Sequence, residues 1–213
     1  KRTYVNKKSE GKLRFYLIMV VAVLHIAIDT IFIYPIIFIV SFNKKWKQYI
    51  SELVGKSWGR WFIRATGCKL EIIYENPEMI NELKNEAVVV YSNHQNNLDI
   101  GLLLGYFFKR VGFLAKQEME HWHFFNLWMR LNGCVFLNRE NPREGIKGIQ
   151  KTIENLKNGK SMVIFPEGTR QSGIFPFKKG SFKVVKKAKV KLVPVTIVGT
   201  DKVLEKTKKK RKL

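Results

Sequence analysis

The 213-residue chain carries 39 Lys and Arg against 17 Asp and Glu, a formal net charge of +22, with 46% apolar residues. Its 15 Phe, 7 Tyr and 5 Trp exclude a wholly disordered chain, its two Cys exclude a disulfide-stapled scaffold, and its 15 Gly without a triplet period exclude collagen. The charge calls for a polyanion, either nucleic acid or an anionic lipid surface. Cys68 and Cys134 could form one bridge, but two thiols suit a reducing compartment as well.

Residues 1–14 hold six basic side chains and one acid, Glu10. Phe15–Val40 is then apolar for 26 residues, interrupted by His25, Asp29, Thr30 and Pro35. As a helix it would be about 39 Å long, more than the roughly 30 Å of a bilayer core. The basic flank would put residues 1–14 on the cytoplasmic side. No small-residue cleavage site follows, which argues against a signal peptide. Asp29 at mid-membrane would cost about 2.5–3.5 kcal/mol, and Pro35 would break or kink the helix. His25 and Asp29, four residues apart, share a helix face. From Lys44 to Arg64 the apolar positions include Trp46, Tyr49, Ile50, Leu53, Trp58 and Trp61, with basic residues on other faces. That pattern predicts an amphipathic, interfacial helix. The reading is a helical hairpin over 15–40 and 44–64 that dips into one leaflet. A single span, or two helices packed on a soluble core, are the alternatives.

From about residue 69 short β-rich runs alternate with helical patterns. Strands are predicted at Lys69–Tyr74, Ala87–Tyr91, Val111–Leu114, Cys134–Leu137, Ser161–Phe165 and Lys191–Val198. Helices are predicted at Leu98–Phe108, Gln117–Met129, Arg143–Lys157 and Phe177–Lys187. The alternation predicts an α/β domain over 67–213 with a mixed, largely parallel central sheet flanked by helices. The N-terminal two-helix membrane-associating motif occupies 1–66. Ligands of such sheets bind outside the carboxyl ends of the strands, so three strand ends draw notice.

The apolar strand Val88–Tyr91 runs into a polar loop with His94, and Asp99 opens the next helix. On a regular helix the two would point about 140° apart, whereas a turn across Gln95–Asn97 could join them. A carboxylate on one imidazole nitrogen fixes the tautomer and stabilises the imidazolium. With no Ser or Cys nucleophile in the motif, His94 and Asp99 read as a general-base dyad acting on a substrate hydroxyl. A structural histidine is the competing reading. The strand Met162–Phe165 runs into Pro166-Glu167-Gly168-Thr169-Arg170. Gly168 allows close backbone approach, Thr169 offers a hydroxyl and Arg170 a fork suited to phosphate. Glu167 could orient Arg170, bond a substrate hydroxyl, or both. The competing reading is a plain turn with a surface ion pair. Lys116 ends the strand after Val111, where a second phosphate ligand could sit.

These pieces together resemble the glycerolipid acyltransferases, and within them those acting on lysophosphatidic acid. Asn93-His94 with Asp99 is similar to the family's N-H-x4-D block. Gly133-Cys134-Val135-Phe136-Leu137-Asn138-Arg139 is similar to the second block. Phe165–Arg170 matches the third, F-P-E-G-T-R, without a mismatch, and Val193-Pro194-Val195-Thr196-Ile197 matches the fourth. Phe177–Phe182 also resembles the segment between the last two. The resemblance covers about residues 70–201. It implies transfer of an acyl chain from acyl-CoA or acyl-carrier protein to the sn-2 hydroxyl of 1-acylglycerol-3-phosphate, giving phosphatidic acid. His94 would be the base and Asp99 its orienting group. Arg170, Gly168 and Thr169 would hold the phosphate, with Glu167, Lys116 and Arg139 as further substrate contacts. The donor is a substrate; no cofactor and no metal are implied. Gln171 stands where the third block often continues with Ser. The family usually adds a strand after the basic stretch that ends here at Leu213.

The implied lipid acceptor explains an amphiphilic front end that holds the enzyme on an anionic membrane surface. The working picture is a monotopic or peripheral enzyme at the cytoplasmic face of a bacterial inner membrane. The basic tail, Lys202–Lys212, could add surface attraction or be a solvated charge run. Glu118, Glu120, His121 and His123 match no zinc spacing, and Trp122, Phe124, Phe125, Leu127 and Trp128 read as core or acyl-tunnel wall. Competing functions are an acyltransferase for glycerol-3-phosphate or another lysophospholipid, an inactive lipid-binding relative, and a basic nucleic-acid-binding protein. The last leaves the apolar run and both loop motifs unexplained, so no nucleic acid is expected.

Overall fold

The computed structural model describes residues 2–6, 12–39, 42–138, 141–170 and 175–203. Among them seven strands form one sheet: β1 Arg2–Asn6, β2 Lys69–Ile72, β3 Val88–Ser92, β4 Gly112–Lys116, β5 Val135–Leu137, β6 Met162–Ile164 and β7 Lys191–Val198. The helices are α1 Lys12–Ile39, α2 Lys44–Ala65, α3 Met79–Asn85, α4 Leu98–Tyr106, α5 Phe125–Leu131, α6 Pro142–Lys157, α7 Lys179–Ala188 and α8 Thr200–Val203. The strand order is β2-β1-β7-β3-β6-β4-β5. Only the β1–β2 pair is antiparallel; every other neighbouring pair is parallel.

β3 is the central strand because its side chains suit burial on both faces. Val88, Val89 and Val90 are each 0% exposed, and each such side chain contributes about 1.5–3 kcal/mol. Val88 and Val90 face one layer, with Leu98, Leu102 and Leu103 of α4 and Phe62 and Ile63 of α2. Val89 and Tyr91 face the other, with Ile153 and Leu156 of α6 and Val184 and Ala188 of α7. The Tyr91 hydroxyl donates to the Ser181 carbonyl and ties β3 to α7.

α1 forms as a single helix of 28 residues that continues through Pro35, where a break or kink was expected. Its Ile18 and Ala22 pack with Phe62 and Ile63 of α2. Ile26 and Ile37 pack with Val54 and Trp128. The Trp128 indole N–H donates to Thr30 Oγ1 at 2.8 Å, and that hydroxyl donates to the Ile26 carbonyl at 2.7 Å. α1 is thus held along its length by α2 and α5. Asn43 caps α2, its Oδ1 accepting from the Lys45 and Trp46 amides.

α2 was expected to lie in the interface, yet its Val54, Phe62 and Ile63 are buried. Its Trp46, Tyr49 and Leu53 remain exposed. The burial follows from a glycine seam against α4. A Cβ on Gly59 would sit 2.6 Å from the Gly101 carbonyl oxygen, and one on Gly105 would sit 2.7 Å from the Arg60 amide nitrogen. The two backbones touch at this crossing, and the Arg60 Nε–H donates to the Gly105 carbonyl at 2.9 Å.

Three further expectations change. Arg2–Asn6 was read as a basic flank, but it pairs with both β2 and β7. The helix expected over Gln117–Met129 divides into a 3-10 turn, Gln117–His121, and α5. Phe124 between them has φ of 63°, outside helical geometry. Trp128 is buried, whereas Trp122 and Phe124 are exposed and are not core. Burial of Trp128 against α1 sets the direction of α5. Cys68 and Cys134 are unbridged.

Candidate active site

The strand order decides which motif loops meet. β3 and β6 are parallel neighbours with Tyr91 beside Ile164, so the loops that follow, 93–97 and 165–170, leave the same edge side by side. β7 flanks β3 and β4 flanks β6. Across that carboxyl edge lie, in order, Thr200, His94, Glu167 and Lys116.

The 93–97 loop closes a turn before α4 begins. The Asp99 amide donates to the Asn96 carbonyl at 3.1 Å and the Ile100 amide to that of Asn97 at 3.2 Å. This turn overcomes the five-residue spacing. His94 Nδ1 lies 2.8 Å from Asp99 Oδ2. The same oxygen accepts from the Gln95 amide at 2.7 Å and the Asn96 amide at 2.9 Å. Asp99 Oδ1 accepts from Thr200 Oγ1 at 2.6 Å. Asp99 is 0% exposed, so these donors replace the water that a carboxylate would otherwise need. The imidazole lies flat on the Phe165 ring, centroids 4.0 Å apart and 15° from parallel. Phe113 also stacks with Phe165, centroids 6.3 Å apart.

Asn93 fastens this loop to β7. Its Nδ2 donates to the Ile197 carbonyl and its Oδ1 accepts from the Ile197 amide, both at 2.8 Å.

In the second loop, Gly168 has φ of 75°, a left-handed conformation suited to glycine. A Cβ there would lie 2.6 Å from Cε of Lys178, whose side chain crosses the turn. Glu167 is buried, and its Oε2 has no hydrogen-bond partner among the described residues. Burial pushes its carboxyl above the ordinary range, opposed by the nearby charge of His94 and a backbone hydrogen bond from His94. Arg170 is exposed and is held by Asn97, its Nη1 donating to Oδ1 at 2.7 Å. Asn97, not Glu167, therefore orients the guanidinium. Thr169 is exposed beside it. Lys116 stands at the end of β4, half exposed and paired with Glu118. Arg139, Gln171 and Ser172 lie outside the described residues, as does the tail from 204 onward.

The structure thus joins His94, Asp99, Glu167 and Arg170 through their two loops, with Lys116 farther along the edge. The two site carboxyls, Asp99 and Glu167, are buried, while Arg170 and Lys178 lie at the surface. This places an imidazole, a group able to act as a base, beside a cationic rim able to bind phosphate. Asn93, Asn97, Phe165, Lys178 and Thr200 escaped the sequence reading as site residues. Asn93 and Phe165 fall inside the quoted motifs, and Lys178 inside the Phe177–Phe182 segment. Thr200 carried no local signal. Among the described residues no three His, Cys, Asp or Glu side chains converge as metal ligands.

The acyltransferase family model matches residues 71–198. A probable 1-acyl-sn-glycerol-3-phosphate acyltransferase of Mycoplasma pneumoniae is 35% identical over 158 residues, 71% of this chain and 57% of its own length. The 1-acyl-sn-glycerol-3-phosphate acyltransferase of Helicobacter pylori is 27% identical over 201 residues, 93% of this chain and 77% of its own. That of Saccharomyces cerevisiae is 34% identical over 123 residues, 55% of this chain and 41% of its own. The chain spans about half the length of the first and third of these relatives. The crystal structure of the 1-acyl-sn-glycerophosphate (LPA) acyltransferase of Thermotoga maritima superposes with a TM-score of 0.66 at 28% identity, covering 91% of this chain and 79% of that one. The matched span contains the turn that joins His94 to Asp99 and the loop that carries Arg170, and on these grounds the chain belongs to the acyltransferase family.

Proposed function

We propose that the protein transfers an acyl chain from acyl-CoA or acyl-carrier protein to the sn-2 hydroxyl of 1-acylglycerol-3-phosphate, giving phosphatidic acid. The observation that carries this reading is the hydrogen-bonded His94–Asp99 pair beside the 165–170 loop, in a chain whose relatives bear that activity in their names.

His94 Nε2 takes the proton of the glycerol hydroxyl as its oxygen attacks the thioester carbonyl. The new ester C–O bond forms, the C–S bond breaks, and the departing sulfur takes the proton back from the imidazolium. Asp99 stabilises that imidazolium and holds the ring. Arg170, with Gly168 and Thr169, binds the glycerol phosphate; Lys116 and Arg139 are further contacts. Glu167, with an open buried oxygen, bonds a glycerol hydroxyl. No resident cofactor or metal takes part.

The membrane reading rests on α1. Leu24, Ile31, Phe32, Phe38 and Ile39 are 54–73% exposed, while Asp29, Ile18, Ala22, Ile26 and Ile37 are buried toward the body. The segment Tyr16–Ile39 is long and apolar enough to cross a membrane. Its inner stripe is occupied by protein over its length, so we assign its outer face to one leaflet and the enzyme to a monotopic, cytoplasm-facing attachment. α2 packs on α4, whose first turn carries Asp99, so the glycine seam joins the helix pair to the dyad.

The test is acyl transfer in mixed micelles with both donors, comparing wild type with His94→Ala. Phosphatidic acid from wild type and its loss in the variant are expected. Turnover only with glycerol-3-phosphate or a headgroup-bearing lysophospholipid would move the acceptor assignment. An inactive wild type that binds duplex DNA in a strongly salt-dependent way would replace it.

A further inference from the structure

We propose that Thr200 is a positioning residue for the His94–Asp99 pair, so that the end of β7 is a third part of the catalytic apparatus beside the two motif loops. The proposal rests on the reading of His94 as the base.

Two backbone amides, of Gln95 and Asn96, donate to Asp99 Oδ2. An oxygen that takes those donors is an acceptor, so the proton it shares with the imidazole belongs to Nδ1. Nε2 then keeps its lone pair for the substrate hydroxyl. Asp99 Oδ1 accepts from Thr200 Oγ1 at 2.6 Å, within the range of a charge-assisted O–H···O bond. Both residues are 0% exposed, and among the described residues Oδ1 has no other hydrogen-bond donor. Without the hydroxyl, half of a buried carboxylate is bare. With it, both oxygens are pinned and the carboxylate cannot turn, which fixes the ring it holds.

The placement of Thr200 has its own support. Asn93, immediately before His94, makes a two-point pairing with Ile197, three residues before Thr200. Gln95 Oε1 lies 3.3 Å from Thr200 Oγ1, longer than an ordinary O–H···O bond, so the one hydroxyl proton goes to Asp99 Oδ1 at 2.6 Å. The residues on either side of His94 and the group that holds Asp99 are thus registered to one strand end. Thr200 lies beyond the last residue matched by the family model, Val198.

The test compares Thr200→Val, which keeps shape without the hydroxyl, with Thr200→Ser, which keeps the hydroxyl. In Thr200→Val we expect kcat to fall about 10–100-fold, by analogy with the loss of a group that orients a metal-ligating imidazole, with the acceptor KM within about twofold. Thr200→Ser restores kcat to within about threefold. In a His94→Ala background Thr200→Val adds no further loss. Nitrogen-15 spectra of histidine-labelled protein show His94 protonated at Nδ1 in wild type and Thr200→Ser, and a mixture of tautomers in Thr200→Val. With four His in the chain the signals can be assigned one by one. These spectra need no substrate, so they test Thr200 even if the acceptor proposed above is wrong. Should Thr200→Val not fold, Thr200→Ala replaces it against Thr200→Ser. A valine or alanine variant with wild-type kcat, equal losses in the valine and serine variants, or unchanged nitrogen signals would overturn the proposal.

Discussion

Among the described residues two His–Asp pairs look alike in sequence and differ in how they are held. His25 and Asp29 are four apart on α1, so helix geometry alone sets them on one face, with Nε2 3.3 Å from Oδ2. The imidazole meets the edge of Trp61, and among the described residues no backbone amide donates to Asp29. His94 and Asp99 are five apart, and helix geometry would separate them. A turn brings them to 2.8 Å, and three further donors then hold the carboxylate. The first pair needs only its own helix. The second needs a loop, a neighbouring strand and a buried floor. The proposed function assigns the catalytic role to the pair that takes this much structure to assemble, and none to the pair that the helix supplies without help.

Substitution of the two carboxylates should separate these pairs most sharply. Asp99→Asn should lower kcat by about 10²–10⁴, the range for general-base catalysis, while Asp29→Asn stays within about twofold. Similar losses in micelle assays would break the comparison.

Arg170→Ala tests the loop that faces the dyad. Loss of a hydrogen bond to a charged group is worth about 1.5–3 kcal/mol, so the acceptor KM should rise about 10–100-fold with kcat less affected. An unchanged KM would move the phosphate elsewhere on the edge, with Lys178 the next cation to examine.

The glycine seam ties the outer helix pair to the site. Gly105→Ala drives a methyl into the α2 backbone, a clash of about 1–3 kcal/mol. The melting temperature should fall by about 2–10 °C. A variant as stable as wild type would mean that α2 yields, and that the two regions are less rigidly joined than the seam implies.

The smallest effect concerns Glu167. Burial raises its folded carboxyl pKa above the ordinary value. The folded state therefore holds a proton that the unfolded chain has released, and stability falls as pH rises. Glu167→Gln removes that dependence. The stability gain of the variant over wild type should be absent below about pH 4.5, the ordinary value, and grow above it until the folded carboxyl ionises. Parallel melting curves across pH would show that the carboxyl is solvated.

Much of the candidate site was legible because its signals are local. An apolar run ending in a polar loop marks the carboxyl end of a buried strand, and both β3 and β6 end that way. β7 appears at its expected bounds, Lys191–Val198, because its apolar run is bounded by lysines and a glycine. Gly168 was expected to allow a close approach by residue type alone, and the Lys178 side chain makes that approach. The long apolar helix was equally plain, although Pro35 does not end it.

Tertiary contacts decided the rest. Arg2–Asn6 is a strand because β2 and β7 leave it two edges to join, which no property of five residues could foretell. The helix expected over Gln117–Met129 parts at Phe124 while Trp128 is buried against Thr30 of α1. α2 turns part of its apolar stripe inward because glycines on two helices, distant in sequence, let the backbones touch. Thr200 joins the site across about a hundred residues, through a strand order that places β7 beside β3. By itself the sequence determined which segments bear chemistry, because side-chain type and hydrophobic period act over a few residues. Only the folded chain decided which of those segments are neighbours, because that choice belongs to burial and strand pairing summed over the whole sheet.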